Sequence, residues 1–190
     1  KIHYRIDATA AQRGHTLAGE RCEIAGVGPV AAREGRALTR PDAFKTVVVT
    51  DPDDHTRIHT VAHLGHRPLD PATLIDQLRA VVATKGTDVA SLVHHGRRPT
   101  AAQTTAIEWL SGGRCQIRGC TSGTGRLEID HIDPWVSSYR TVVGDLALLC
   151  GHCHDLKTRD DWTVGPLGPD AKRDLTPPVP STEPPPPDTS

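Results

Sequence analysis

An α+β fold in three parts is predicted from three observations. Strand-period and helix-period runs of apolar residues both occur within residues 1–95. Two close cysteine pairs, Cys115 with Cys120 and Cys150 with Cys153, mark a second part over residues 96–164. Nine of the sixteen prolines fall in residues 165–190. That last stretch has few apolar residues beyond Leu167, Leu175 and Val179. It cannot bury enough surface to offset the entropy of ordering, so a disordered tail with polyproline II character is expected.

Along the first part, KIHYRID alternates apolar and polar residues at Ile2, Tyr4 and Ile6 and reads as a strand. VGPVAAREGRAL starts a short helix after Pro29. KTVVVT and RIHTVAHLG are strand-like runs separated by the turn cluster DPDDH. Asp70-Pro71 supplies an N-cap with proline at the first helical position. Leu74, Ile75, Leu78, Val81 and Val82 follow at helical spacing, so a helix is expected over 71–84, ended by Gly86.

Residues 56–73 and 87–104 resemble each other at a shift of 31, each reading as strand, Gly-x-Arg-Pro turn and helix. Two copies do not make a solenoid. Thr100 and Gln103 form a capping box for a helix ending near Leu110, which delivers the chain to Cys115. His55, His59, His63 and His66 would align as a metal set on a helix, but their Thr/Ile/Val surroundings read as strand and split them between faces.

Aromatic residues are scarce, with three Trp, two Tyr and one Phe among 190, so the core is built from Val, Leu, Ile and Ala. The chain contains no methionine, which suggests a fragment or processed piece. KIHYRIDATAAQ lacks the apolar stretch of a signal peptide. No run approaches the roughly 18 apolar residues of a membrane span, so no membrane partner is expected. The expected compartment is the cytoplasm, where thiols stay reduced. A net charge of −1 singles out no partner and lacks the basic excess usual in nucleic-acid binders. Locally, residues 96–118 set Arg97, Arg98, Arg114 and Arg118 against Glu108 alone.

Five cysteines are an odd count, and four of them cluster in two pairs. That pattern favours a metal site plus one spare, Cys22, over a disulfide framework. Zinc takes four tetrahedral soft ligands, and a short Cys spacing lets one turn supply two thiolates. Structural zinc on Cys115, Cys120, Cys150 and Cys153 is therefore expected. A redox CxxC is the rival, but it leaves the second pair unexplained. His154, next to Cys153, is left over; on a helix it points about 100° away and faces a different site. Between the pairs, RLEIDHIDPW alternates as a strand entering a turn at Pro134, with Asp130 and His131 at its end. Adjacent carboxylate and imidazole groups can flank one reacting centre.

CQIRGC, LEIDHIDPW, GDLALLC and GHCHDLKT, from Cys115 to about Trp162, together resemble the HNH endonuclease family of the zinc-bearing ββα-metal, treble-clef-like type. HDLKTRDDW, with CEIAGVGPV, VAHLG and GRRPTAAQ upstream, is similar to HNH proteins common in actinobacteria that carry a longer domain before the nuclease. The resemblance implies that residues 1–95 are the end of such a domain and its linker. It implies a metal-dependent endonuclease that hydrolyses DNA and leaves 5′-phosphate and 3′-hydroxyl ends. It implies His131 as general base, and Asp130 and His154 as ligands of a catalytic Mg²⁺, or of Mn²⁺, Ni²⁺ or Zn²⁺ given the imidazole. Lys157, one turn past Cys153, is placed to touch a phosphate. The middle letter of the motif falls on Asp145, an aspartate where the family has asparagine, so a modulating or metal-ligating part is expected there. The rival class is a catalytically inactive zinc module that binds nucleic acid or protein, favoured by the near-neutral charge and by Asp145. The sequence does not set the oligomeric state or the target.

Overall fold

The computed structural model describes residues 4–25, 27–33, 42–51, 53–122 and 126–179. Its elements are β1 (Tyr4–Ile6), α1 (Ala8–Arg13), β2 (Cys22–Ile24), β3 (Gly28–Pro29), β4 (Lys45–Thr50), β5 (Ile58–Gly65), α2 (Leu74–Lys85), β6 (Thr87–Asp88), α3 (Ala101–Ser111), β7 (Leu127–His131), α4 (Trp135–Ser138), β8 (Leu146–Cys150), α5 (Gly151–Arg159), β9 (Thr163–Val164) and β10 (Leu175–Thr176). No helix among the described residues is long and apolar enough to cross a membrane.

The β-branched runs form strands where their alternation predicts. β4 and β5 pair antiparallel with Val48 opposite Val61, and the turn between them closes on Asp51, whose carboxylate accepts the Asp53 and Asp54 N–H groups. β6 adds to the far edge of β5, with Thr60 opposite Asp88. The two similar segments thus start by pairing antiparallel with each other. The second keeps only a two-residue strand before turning away, so the similarity is not a repeated structural unit. The four histidines of this region go to separate partners. His55 meets Thr50, His59 lies 3.9 Å from Asp51, His63 meets Thr46 and His66 meets the Asp42 carbonyl.

Asp70 accepts the Ala72 N–H and starts a 3₁₀ turn over Pro71–Thr73 that leads into α2. Gly86 follows in extended conformation, and a Cβ there would lie 2.4 Å from the Val82 carbonyl oxygen, so only glycine fits. The expected helix after Pro29 does not begin there. Gly28–Pro29 is a strand against β2, residues 32–33 are a turn, and 34–41 lie outside the described residues. The β1–β2–β3 sheet docks through Arg5, which donates to Glu23 at 2.8 Å and to the Glu108 carbonyl at 3.3 Å, over the Trp109 ring at 5.0 Å.

α3 carries the expected capping box and buries Ala102, Gln103, Ala106 and Ile107. It packs on β8, which is buried along its whole length because it has a core on each face. Leu146 and Leu148 meet Ile107 of α3, whereas Ala147 and Leu149 face Cys115, Cys153, Ile117 and Val164. β7 pairs antiparallel with β8, placing His131 opposite Leu146 and Asp130 opposite Ala147, and α5 follows directly from β8.

Of the stretch expected to form a tail, residues 165–176 pack against this module, and residues 180–190 lie outside the described residues. β10 pairs with β9, and Arg173 is 2% exposed. Its guanidinium donates to the carbonyls of Gly165, Gly144 and Leu146 at 3.1 Å each, and its own N–H donates to the Gln116 carbonyl at 2.8 Å. Proline content hid this strap because polar anchors, chiefly the buried Arg173, hold it together with the single apolar contact of Leu175. Arg173→Ala strands three carbonyls and should cost roughly 2–4 kcal/mol in urea unfolding; a loss below about 0.5 kcal/mol would make the strap a passive tail.

Candidate metal centre and the adjoining polar site

The four cysteines meet where the loop after α3 and the start of α5 come together. Cys115 and Cys120 belong to a tight turn in which the Cys120 N–H donates to the Ile117 carbonyl and Gly119 takes a left-handed φ of 75°. Cys150 is the N-cap of α5 and Cys153 lies in its first turn, so the helix N-terminus points at the sulfurs. All four Sγ atoms lie within 4.8 Å of one another, with Cys120 and Cys150 at 3.8 Å. A zinc tetrahedron with Zn–S of about 2.3 Å has edges of about 3.8 Å. All four thiols are free, so no disulfide competes. Burial pushes the Cys115 and Cys153 thiols up. Burial also opposes ionisation of Cys150, but the Cys153 N–H and side-chain donors outweigh it and bring Cys150 down to about 6. Four free sulfurs this close together are a donor set that fits a structural metal such as zinc. Lys172 of the strap donates to the Cys115 carbonyl at 2.8 Å and braces the turn.

A second polar group lies between β7 and α5. His154 is turned away from the sulfurs, as one residue of helical rotation dictates, and its Nε2 is 3.6 Å from an Asp130 carboxylate oxygen. Lys157, one turn further along α5, donates to the same oxygen at 2.7 Å and is largely buried, with 11% of its side chain exposed. The expected ligand pair is therefore brought together. Lys157 is engaged by the carboxylate rather than held free for a phosphate.

His131, next along β7, has a partner of its own. It is 7% exposed, and its Nε2 lies 2.8 Å from the Thr141 hydroxyl. Burial lowers its pKa; Asp130 pulls it back up, Arg97 and Lys157 lower it further, and Asp145 raises it. The net direction is downward, which keeps the imidazole neutral near pH 7. Asp145 contributes chiefly its main chain: its carbonyl accepts the Ile132 N–H at 2.7 Å, which ties down the turn after His131. Its exposed carboxylate makes no hydrogen bond among the described residues and acts on His131 and Arg173 through charge alone. Among the described residues, Asp130, His154 and Asp145 do not form a compact set like that of the cysteines.

Arg97 and Arg98 are exposed on a turn stapled to the same place, because His94 and Thr141 exchange both main-chain hydrogen bonds. Thr141, Gln103 and Arg173 are the residues that spacing alone missed. None stands in a ligand-like pattern, and only the arginine pair of HHGRRPT signalled that this turn mattered.

Two antiparallel strands, β7 and β8, and the helix α5 that follows directly from them grip the four-cysteine cluster, with His131 at the end of β7. Residues 113–160 match the family model described as HNH endonuclease. No curated protein and no solved structure gives a significant match to the chain.

Protein purified without added zinc is expected to carry about one equivalent per chain. Less than about a tenth of an equivalent in folded protein would exclude the site. Cys115→Ser should abolish the bound metal and the cooperative melting of residues 113–176, because a structural zinc contributes folding free energy directly.

Proposed function

We propose that this chain is a metal-dependent endonuclease that hydrolyses DNA phosphodiester bonds. The observation that carries the reading is the neutral, buried imidazole of His131 on the same strand as Asp130, which meets His154, within a segment that matches the HNH family. His131 is the general base. Held through Nε2, it has Nδ1 left to take a proton from the attacking water, and a neutral imidazole of lowered pKa suits that step. Asp130 and His154 would hold a divalent ion, Mg²⁺ or Mn²⁺ by the chemistry of a carboxylate and an imidazole. Bound there, such an ion supplies positive charge to the scissile phosphate and the departing 3′ oxygen. Arg97, whose charge reaches His131, and its exposed neighbour Arg98 add positive charge that suits a polyanionic substrate despite the chain's net charge of −1. Asp145 modulates the site by its charge and by its main-chain hold on the His131 turn.

The Lys157–Asp130 pair adds a regulatory element to the same reading. The lysine neutralises the carboxylate before an ion arrives and competes with it. Lys157→Met should therefore lower the Mg²⁺ concentration for half-maximal cleavage. A raised requirement would mean that the lysine helps to bind the substrate phosphate instead.

The deciding assay is nicking of supercoiled plasmid with Mg²⁺ or Mn²⁺, with EDTA as control. Wild type should nick only with the ion. His131→Ala should lose about 10² to 10⁴ in rate while keeping its zinc. Plasmid left intact by zinc-loaded wild type would identify the module as a non-catalytic binder of nucleic acid or protein. Wild-type rates in His131→Ala would put the reaction elsewhere.

A further inference from the structure

We infer that Thr141 is the positioning residue that fixes the tautomer of His131, and that residues outside the HNH-matched segment hold Thr141 in place. The inference rests on the reading of His131 as the proton acceptor of the reaction.

A threonine hydroxyl has one proton to give. The Thr141 hydroxyl lies 2.8 Å from the Gly96 carbonyl and 2.8 Å from His131 Nε2. A carbonyl only accepts, so the proton goes to Gly96. The hydroxyl is then left as an acceptor, and the Nε2 atom of His131 carries the hydrogen. In a neutral imidazole the other nitrogen, Nδ1, is then the lone-pair site. The Thr141–Gly96 contact thus dictates which face of the His131 ring can take a proton.

Thr141 itself has no freedom to turn. It is fully buried at 0% exposure. Its N–H donates to the His94 carbonyl at 2.7 Å, and its carbonyl accepts the His94 N–H at 3.0 Å. The same carbonyl accepts Gln103 Nε2 at 2.7 Å. Gln103 is 0% exposed and is fixed by the capping box of α3, where its Oε1 accepts the Thr100 N–H at 2.9 Å. That leaves its amide nitrogen as the donor toward Thr141. The start of α3 and the His94–Gly96 turn, both before residue 113, therefore orient the histidine on β7. Asp145, whose carboxylate makes no hydrogen bond among the described residues, contributes no such contact.

The test is ¹⁵N-histidine NMR of the zinc-loaded full chain, with His131 assigned by loss of its signals in His131→Gln, beside steady-state cleavage. Wild type and Thr141→Ser should both show a single neutral tautomer with the proton on Nε2. Thr141→Val, which keeps the volume and removes the hydroxyl, should show a mixture of tautomers. It should also lose up to about 10²-fold in kcat, with KM for DNA and zinc content unchanged. Thr141→Ser should recover most of that rate. A wild-type His131 protonated on Nδ1, or a Thr141→Val spectrum identical to wild type, overturns the inference. So does an unchanged kcat in Thr141→Val when wild type is active. If wild type does not cleave but the tautomer pattern is as expected, Thr141's hold on the ring is supported and the nuclease reading is what fails.

Discussion

The strand Leu146–Cys150 is buried on both faces, and the polar chemistry of the module depends on that burial. A strand can be apolar on both sides only if each side has a partner. α3 covers Leu146 and Leu148, and the cysteine turn with Val164 covers Ala147 and Leu149. The strand end supplies Cys150 to the four-cysteine cluster, and the antiparallel register carries His131 and Asp130 on the neighbouring strand to fixed heights. The hydrogen bonds on the outer edge of the strand are also accounted for. Gln116 accepts the Leu148 N–H through its side chain and donates its own N–H to the Leu148 carbonyl, both at 2.8 Å, while Arg173 takes the Leu146 carbonyl. Burying both faces left backbone groups that only a buried glutamine and a buried arginine were placed to satisfy.

The knuckle and the polar site share elements but point different ways. Along α5, Cys153 faces the sulfurs, His154 faces Asp130, and Lys157 returns one turn later to the same carboxylate. Along β7, alternation sends Asp130 toward α5 and His131 toward Thr141. A single helix and a single strand thus hold the four-cysteine cluster and the Asp130–His154–Lys157 group close together without placing a thiol in the second.

Charge is arranged locally rather than globally. The chain is nearly neutral, yet Arg97 lies within electrostatic reach of His131, and Lys157 sits on Asp130. Other arginines are committed to structure: Arg118 to Asp170 and Asp174, Arg5 to Glu23, and Arg173 to carbonyls. Net charge therefore says little about what this surface attracts, since many of the charges are already paired with one another or with carbonyls.

Local chemistry made part of this structure legible from the residues alone. The cysteine pairs, the Thr100–Gln103 capping box, the β4–β5 hairpin and the strand ending in Asp130-His131 follow from spacing, periodicity and turn propensity, which act within a few residues. Helical rotation likewise turned His154 away from the sulfurs, whereas its pairing with Asp130 was implied only by the family resemblance. What only the tertiary structure decided involves partners far apart in the chain. Thr141 reaches Gly96 and Gln103, and Arg173 reaches Gly144 and Leu146, across separations of 27 to 45 residues. Lys157 faces Asp130 over the same kind of separation, 27 residues. No local rule selects such partners. They are fixed by the need to satisfy polar groups once the apolar faces have packed, and that need exists only in the folded chain.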